Sequence, residues 1–354
     1  MYYSGIDLHK DNCYITTRDE SGKIINQLRV KNDEEEILNY FKSIEGDHKV
    51  VVESTNSWYW LNDLLESNNI KVELAHAKYI KAIAYAKVKT DKIDSKTLST
   101  LLQNNLISPA HKISEEKRGL RDTLRMRLRL VQKRTSCYNS VHRVAEKFNC
   151  DDSVDLNKEI IPDKLPEDYK FQVKLLYEQI EVLNKQIKEV ENSLMKRLRK
   201  NDDIQRLLWV PSIGMVTAFS IYLEIDGIER FETVKNFLSY CRLVPGAKNS
   251  NKSIKHKSGS KDGNKYLKIA FSDSAVHSLR YYSEIRSHYQ KMLRRSNQAI
   301  ARTVVAKEIA KIVYFILKNK TDYKGYKGKP ISRMKSQSWP RLASPVGWLD
   351  NKIP

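Results

Sequence analysis

Cysteine is scarce in this chain. Its four occurrences, Cys13, Cys137, Cys150 and Cys241, are scattered with no Cys-x-x-Cys spacing. That excludes a disulfide framework and a cysteine-built zinc site, and points to reduced thiols in a cytoplasmic protein. No apolar run is long enough to span a bilayer and no signal peptide is present, which excludes the membrane and exported classes. Acidic residues are the third shortage: 43 Asp and Glu stand against 63 Lys and Arg, giving a formal charge of +20 and a pI near 9.5. A surplus of that size calls for a polyanionic partner. With no amphipathic membrane anchor in the chain, that partner is nucleic acid. What remains, 354 residues that are 40% hydrophobic and 30% charged, fits two or three globular domains with solvated helical faces.

The first part of the chain reads as strands and then as strand–helix alternation. Residues 1–10 form a strand with Asp7 near its end; Asn12 to Arg18 and Ile24 to Val30 form two more, with a turn at Asp19-Glu-Ser-Gly22. Asn32-Asp33 followed by three glutamates starts a helix, the acids sitting where its dipole favours them. Lys49-Val-Val-Val52 is a short apolar run ending at Glu53, the mark of a buried central strand. A helix at Trp58–Leu65, a strand at Lys71–Ala75 and a helix at Ala77–Ala86 follow, which indicates an α/β domain with a mixed sheet.

Asp91 and Asp94 open the next helix, which reads as Ser95 to Leu101, and three residues apart they share one face of its first turn. Taken alone, the pair is explained as well by capping and dipole stabilisation. Asp7 and Glu53 change that. Ligand sites in α/β sheets gather at the carboxyl ends of strands, and an acid ending a Val-Val-Val strand is costly to bury unpaired. Four carboxylates, Asp7, Glu53, Asp91 and Asp94, are expected to converge there and bind two Mg2+ ions about 4 Å apart, the arrangement that stabilises both oxygens in phosphodiester cleavage.

Residues 114–150 read as one long helix whose Leu120, Leu124, Val131, Tyr138 and Val141 keep an approximate a/d spacing, while Arg121, Arg125 and Arg129 crowd its other faces. After a break containing Pro162 and Pro166, a second helix from Phe171 to Arg199 carries a cleaner seam. The pair is either a helical hairpin or an intermolecular coiled coil, and the arginines are either a solvated face or a phosphate-tracking one. Further on, Pro211-Ser-Ile-Gly214 makes a turn between helical stretches, where backbone amides at Gly214 are suited to meet phosphate in a helix-hairpin-helix element. The stretch from Arg242 to Leu267 is a cationic loop with Lys248, Lys252, Lys255, Lys257, Lys261 and Lys265. It reads as a phosphate-binding loop, and a serine within it is also able to act as a nucleophile. Residues 272–293 and 297–318 read as two closing helices, and the tail from Lys320 as irregular.

Gly5-Ile-Asp-Leu-His-Lys10, Val52-Glu53-Ser-Thr55 and Lys89-Thr-Asp-Lys-Ile-Asp94 resemble the DEDD motif of the one-ten family of bacterial insertion-sequence transposases, relatives of the pilin-gene invertase. The resemblance implies a RuvC-like (RNase H-like) α/β domain at 1–112, coiled-coil dimerisation helices at 113–202, a mainly α C-terminal transposase domain at 203–320 and a basic tail at 321–354. It further implies that Ser250, the fifth residue after Pro245, forms a covalent phosphoserine bond with DNA. Arg242, Asn251 and Lys268 depart from the family pattern, and Ser253 competes for the role. By the same resemblance, a structured bridge RNA guides the protein to donor and target double-stranded DNA, and the protein assembles as dimers and tetramers. The expected function is thus transposition of an insertion sequence. A junction-resolving nuclease using water activated by Mg2+, or a nucleic-acid scaffold without catalysis, are the alternatives.

Overall fold

The computed structural model describes residues 1–55, 57–76, 79–80, 90–150, 161–210, 212–245, 249–250, 253–254 and 262–323, with 249, 250, 253, 254 and 281 described by backbone alone. The chain divides into two units, Met1–Ile113 and Ser114–Pro354.

In the first unit, β1 (Tyr2–Leu8), β2 (Asn12–Arg18) and β3 (Ile24–Lys31) form an antiparallel meander. Helix α1 (Glu34–Lys42) starts where the Asp33 carboxylate accepts the Glu36 amide. It leads into β4 (His48–Glu53), then α2 (Trp58–Ser67), then β5 (Lys71–Ala75). Strands β1, β4 and β5 run parallel, and the sheet order is β3-β2-β1-β4-β5. The Val50-Val51-Val52 run is buried because β4 is central, between β1 and β5, and helices cover both faces of the sheet there. Alternation assigns the faces. Ile6, Leu8, Ile15, Val50 and Val52 pack on one side with Ile37, Phe41, Leu61 and Leu65. Val51 and Ala75 pack on the other with Leu98 and Leu102 of α3 (Asp91–Gln103). The segment expected to be helical at Ala77–Ala86 lies almost wholly outside the described residues.

Helix α3 begins at Asp91, four residues ahead of the expected Ser95, because Thr90 Oγ1 accepts the Ile93 amide at 3.3 Å and caps it there. Its approach to the sheet is unusually close. A Cβ on Gly5 would lie 2.3 Å from the Ser95 carbonyl oxygen and 2.4 Å from the Ser99 nitrogen. Small polar contacts complete the fit: Thr16 Oγ1 meets Ser95 Oγ at 2.7 Å, and Arg18 Nε donates to Ser99 Oγ at 3.1 Å.

The second unit opens with α4 (Glu115–Glu146) and α5 (Glu167–Leu198), which lie antiparallel against each other. The direction is fixed by Arg127 pairing with Glu191, Arg134 donating to Asn184, and Phe148 meeting Tyr169 edge-on. The apolar seams therefore close within one chain, as a helical hairpin. Leu120, Leu124, Val190, Leu194 and Leu198 at its base join the main core, while Val141, Val144, Val173, Tyr177 and Ile180 make a satellite core at its tip. Helices α6 (Asp202–Leu208), α7 (Met215–Ile225) and α8 (Val234–Tyr240) follow, then a short hairpin of β6 (Asn249–Ser250) and β7 (Ser253–Ile254). Three helices close the described part: α9 (Lys265–Tyr281), α10 (Ser283–Leu293) and α11 (Gln298–Asn319). The single helix expected over 272–293 is thus two, separated at Tyr282, whose backbone is extended. Arg286 explains why the break is tolerated without glycine or proline: its guanidinium donates to the carbonyls of Leu279 and Arg280 that the break leaves open. Among the described residues, no helix is long and apolar enough to cross a membrane.

Candidate active site

Three side chains meet at the carboxyl end of β1. His9 Nε2 lies 3.1 Å from Asp7 Oδ2 and 3.3 Å from Asp91 Oδ1, and the three ligand atoms are within 4.8 Å of one another. Each is placed by local structure. Asp7 shares the α3-facing side of β1 with Gly5, two residues earlier. Asp91 is the first residue of α3, brought down by the close contact at Gly5 and fixed in register by the Thr90 cap. His9 sits in a turn closed by its amide donating to the Asn12 carbonyl, and Asn32 Nδ2 braces that turn by donating to the carbonyls of His9 and Lys10.

Asp94 is one turn along α3 and acts on the Asp7 charge. Glu53 ends β4, one position past the Ile6–Val52 pair that places it beside Asp7 on the neighbouring parallel strand. Two residues from Val51, it shares the face covered by α3. The structure therefore brings Asp7 and Asp91 into one tight group, adds Asp94 through its charge, and sets Glu53 on the same edge outside that group. The pattern of carboxylates alone does not announce His9, which lies in the turn just after β1.

The electrostatics fit a hard divalent cation. The Asp7 side chain is only 14% exposed. Burial raises its pKa and outweighs the opposing pull of His9, and Asp94 and Asp91 push it further up. A partly buried carboxylate with two like charges nearby is short of positive charge, and its oxygens are the donors Mg2+ prefers. Asp7 and Asp91 would hold such an ion, with Asp94 and Glu53 flanking.

In the second unit, Arg125 Nε and Nη2 donate to Glu224 Oε1 and Oε2 at 2.7 and 2.8 Å, a bidentate pair. Glu224 is 1% exposed. Asn264 Nδ2 donates to the same carboxylate at 2.7 Å, and Arg121 Nε approaches it at 3.7 Å. Burial works against the Arg125 charge, but the hydrogen bonds to Glu224 win and raise its pKa. Of the arginines expected to track phosphate, Arg125 is thus hydrogen-bonded to an internal carboxylate and Arg121 faces the same one. Asn264 also caps α9 through Oδ1, so this cluster fixes the helix that ends the cationic loop. Arg129 and Lys265 are exposed.

Gly214 is the N-cap of α7 with an extended φ of −84°, and the left-handed residue of this turn is Ser212, at φ +67°. Ser250 ends β6 and is the cross-strand register partner of Ser253 in β7, so the backbone keeps the two candidate serines adjacent. Lys248, Lys252, Lys255, Lys257 and Lys261 lie outside the described residues. Arg242 holds a left-handed φ of +57°, a conformation that glycine adopts at least cost.

A mixed five-stranded sheet with helix-borne aspartates beside the end of its first strand defines a DEDD nuclease-like domain, followed here by a mostly helical unit. Residues 4–149 match the family model of the DEDD-type IS110 transposases, and residues 204–290 match the transposase IS116/IS110/IS902 family. Over 335 residues the chain is 22% identical to the transposase for insertion sequence element IS1111A of Coxiella burnetii, covering 90% of each. It is also 22% identical to a "Probable family 20 transposase" of Pseudomonas aeruginosa, covering 90% of this chain and 98% of that protein. A third relative, the transposase for insertion sequence element IS1328 of Yersinia enterocolitica, is again 22% identical, covering 88% and 95%. The chain belongs to the IS110 family of insertion-sequence transposases, and is a DNA transposase.

Proposed function

We propose that this transposase cuts and rejoins donor and target DNA through a serine–DNA intermediate, with Mg2+ held by Asp7, Glu53, Asp91 and Asp94. The observation that carries the reading is the meeting of Asp7 and Asp91 at the end of β1, with Asp94 adding to the field on Asp7. Bound there, Mg2+ would supply Lewis-acid stabilisation of charge developing on phosphate oxygens. The carboxylates orient the site and accept no covalent bond. Ser250 Oγ attacks phosphorus: the Oγ–P bond forms, the P–O bond to the departing strand breaks, and that strand leaves as a hydroxyl end carrying the proton the serine gives up. Exposed Arg129 and Lys265, with the lysines of the loop, contact the DNA backbone.

Guidance by a structured bridge RNA belongs to the same reading. It is supported by a basicity spread over the chain rather than gathered on one groove-reading helix, which suits recognition of backbone and shape. Self-association into dimers and tetramers is supported by Phe171, Leu175 and Val182, an exposed apolar stripe on the outer face of α5.

The test incubates purified protein with Mg2+, RNA from the flank of the element, and labelled donor and target DNA, followed by a denaturing gel. Label retained on protein in the wild type and lost in Ser250→Ala and in Asp94→Ala is the expected result. Adduct that survives Ser250→Ala and is lost in Ser253→Ala would move the nucleophile. Cleavage with no adduct in any variant, lost only in Asp94→Ala, would replace the serine mechanism with attack by activated water.

A further inference from the structure

We infer that His9 is itself a metal ligand, through Nε2, and that this nitrogen biases the centre away from Mg2+ toward transition-metal divalent ions. The inference rests on the reading that Asp7 and Asp91 hold a cation. Three features of the site lead to it.

The first is spacing. In an octahedral site with bonds of about 2.1–2.2 Å, adjacent donor atoms stand about 3 Å apart. His9 Nε2 stands 3.1 Å from one aspartate oxygen and 3.3 Å from the other, with all three atoms within 4.8 Å of one another, so the two edges that involve the nitrogen already have the length found in a shared coordination shell. The second is placement. Both oxygens face the same ring nitrogen, and the turn bearing His9 is held by its own amide bond to the Asn12 carbonyl and by Asn32 Nδ2 on two successive carbonyls. A surface histidine with a merely incidental contact has no need of that bracing. The third is access. The His9 side chain is 55% exposed, so an ion arrives from solvent and takes the position between the carboxylates without repacking the core.

The chemistry that follows concerns ion choice. Mg2+ favours oxygen donors and keeps several waters, so it gains little from an imidazole. Imidazole is a good ligand for the later divalent ions, whose affinities rise along the first transition row. Mn2+, at the start of that row, is visible to electron paramagnetic resonance and serves as the probe.

The experiment uses the full-length protein, with Mn2+ alone added at fixed neutral pH, in natural-abundance and 15N-labelled forms. Electron spin-echo envelope modulation of the bound ion is expected to show 14N coupling that changes to the 15N pattern on labelling and disappears in His9→Ala. Mn2+ affinity is expected to fall by about tenfold or more in His9→Ala, while Mg2+ affinity, read by competition, changes by less than about threefold. Bound Mn2+ with no nitrogen modulation overturns the inference while leaving the carboxylate site standing. Tighter Mn2+ binding in His9→Ala also overturns it, since His9 would then be a competitor that holds the carboxylates together until an ion displaces it. No Mn2+ binding by the wild type overturns both this inference and the metal reading beneath it.

Discussion

Replacing Gly5 with alanine tests how the acids come together. The new Cβ would sit 2.3 Å from the Ser95 carbonyl oxygen, 2.4 Å from the Ser99 nitrogen and 2.7 Å from Leu98 Cβ. Two of these are backbone atoms of α3, so no side-chain rotation relieves the clash. A carbon–oxygen contact is comfortable at a little over 3 Å, so the helix must move out by about 1 Å. Overpacking of this kind costs about 1–3 kcal/mol. The lower entropy of alanine in the unfolded chain returns less than about 1 kcal/mol. A net loss of about 2 kcal/mol lowers the melting temperature of the first unit by roughly 8 °C. The same shift carries Asp91 and Asp94 away from Asp7. Functional shells tolerate only about 0.5 Å of misplacement, so Mn2+ affinity should drop by at least about tenfold. Calorimetry and metal titration on the same protein measure both effects. A Gly5→Ala variant that melts within about 2 °C of wild type and binds the ion unchanged would refute the idea that close helix–sheet contact builds this site.

Other outcomes follow from the same geometry. Glu224→Ala leaves Arg125 and Asn264 facing an empty buried position, and should destabilise the second unit by about 3–5 kcal/mol in chemical denaturation. A double-mutant cycle with Arg125→Ala should recover much of that cost, and simple additivity would show that the pair does not couple. Burial raises the Cys13 thiol and the Tyr40 hydroxyl each to about 12, from 9.0 and 10.0. Both groups are neutral when protonated, so the stability they confer is complete below about pH 9 and is lost as pH climbs toward 12. Melting temperature measured from pH 8 to 12 should fall along that limb, and less steeply in Cys13→Ala. With Cys13, Cys150 and Cys241 buried and Cys137 partly exposed, a thiol reagent at pH 8 should label the native protein at Cys137 and all four cysteines only after unfolding. Rapid labelling of Cys13 in the native state would contradict the packing of the sheet.

What the sequence could convey follows from the range of each interaction. The buried strand was legible because Val50-Val51-Val52 is apolar without alternation, and β4 does lie between two neighbours. Helix α3 starts at Asp91 rather than Ser95 because the Thr90 side chain caps it there, a local feature that stops the N-terminus from fraying. The break at Tyr282 had no glycine or proline to announce it, since Arg286 supplies the missing donors from the following helix. His9 lies in the turn beyond β1, where neither strand alternation nor the carboxylate pattern marks it. The partner of Arg125 was not visible at all: Glu224 lies 99 positions away, and nothing local distinguishes an arginine that meets phosphate from one that meets an internal carboxylate.

That last difference bears on how a charge of +20 should be translated into an interface. Net charge is a sum over the chain and sets the field felt at a distance. It does not say which cations are available, because a guanidinium engaged by a buried acid contributes little to the outer surface and cannot turn to a phosphate without breaking a bidentate pair. On α4 the sequence offers Arg121, Arg125, Arg127 and Arg129 within three turns. Arg121 and Arg125 face Glu224, and Arg127 pairs with Glu191 across the hairpin, which leaves Arg129 as the exposed member of the four. The clustering that reads as a phosphate track is thus largely the means by which α4 is fastened to α5 and α7. Removing Arg129 should weaken nucleic-acid binding and shallow its salt dependence by about one counterion, with no change in melting. Removing Arg125 should do the opposite, lowering stability first and affecting binding only as the fold loosens. If instead Arg125→Ala weakens DNA binding at unchanged stability, the internal pairing is not what holds that arginine, and the phosphate reading returns.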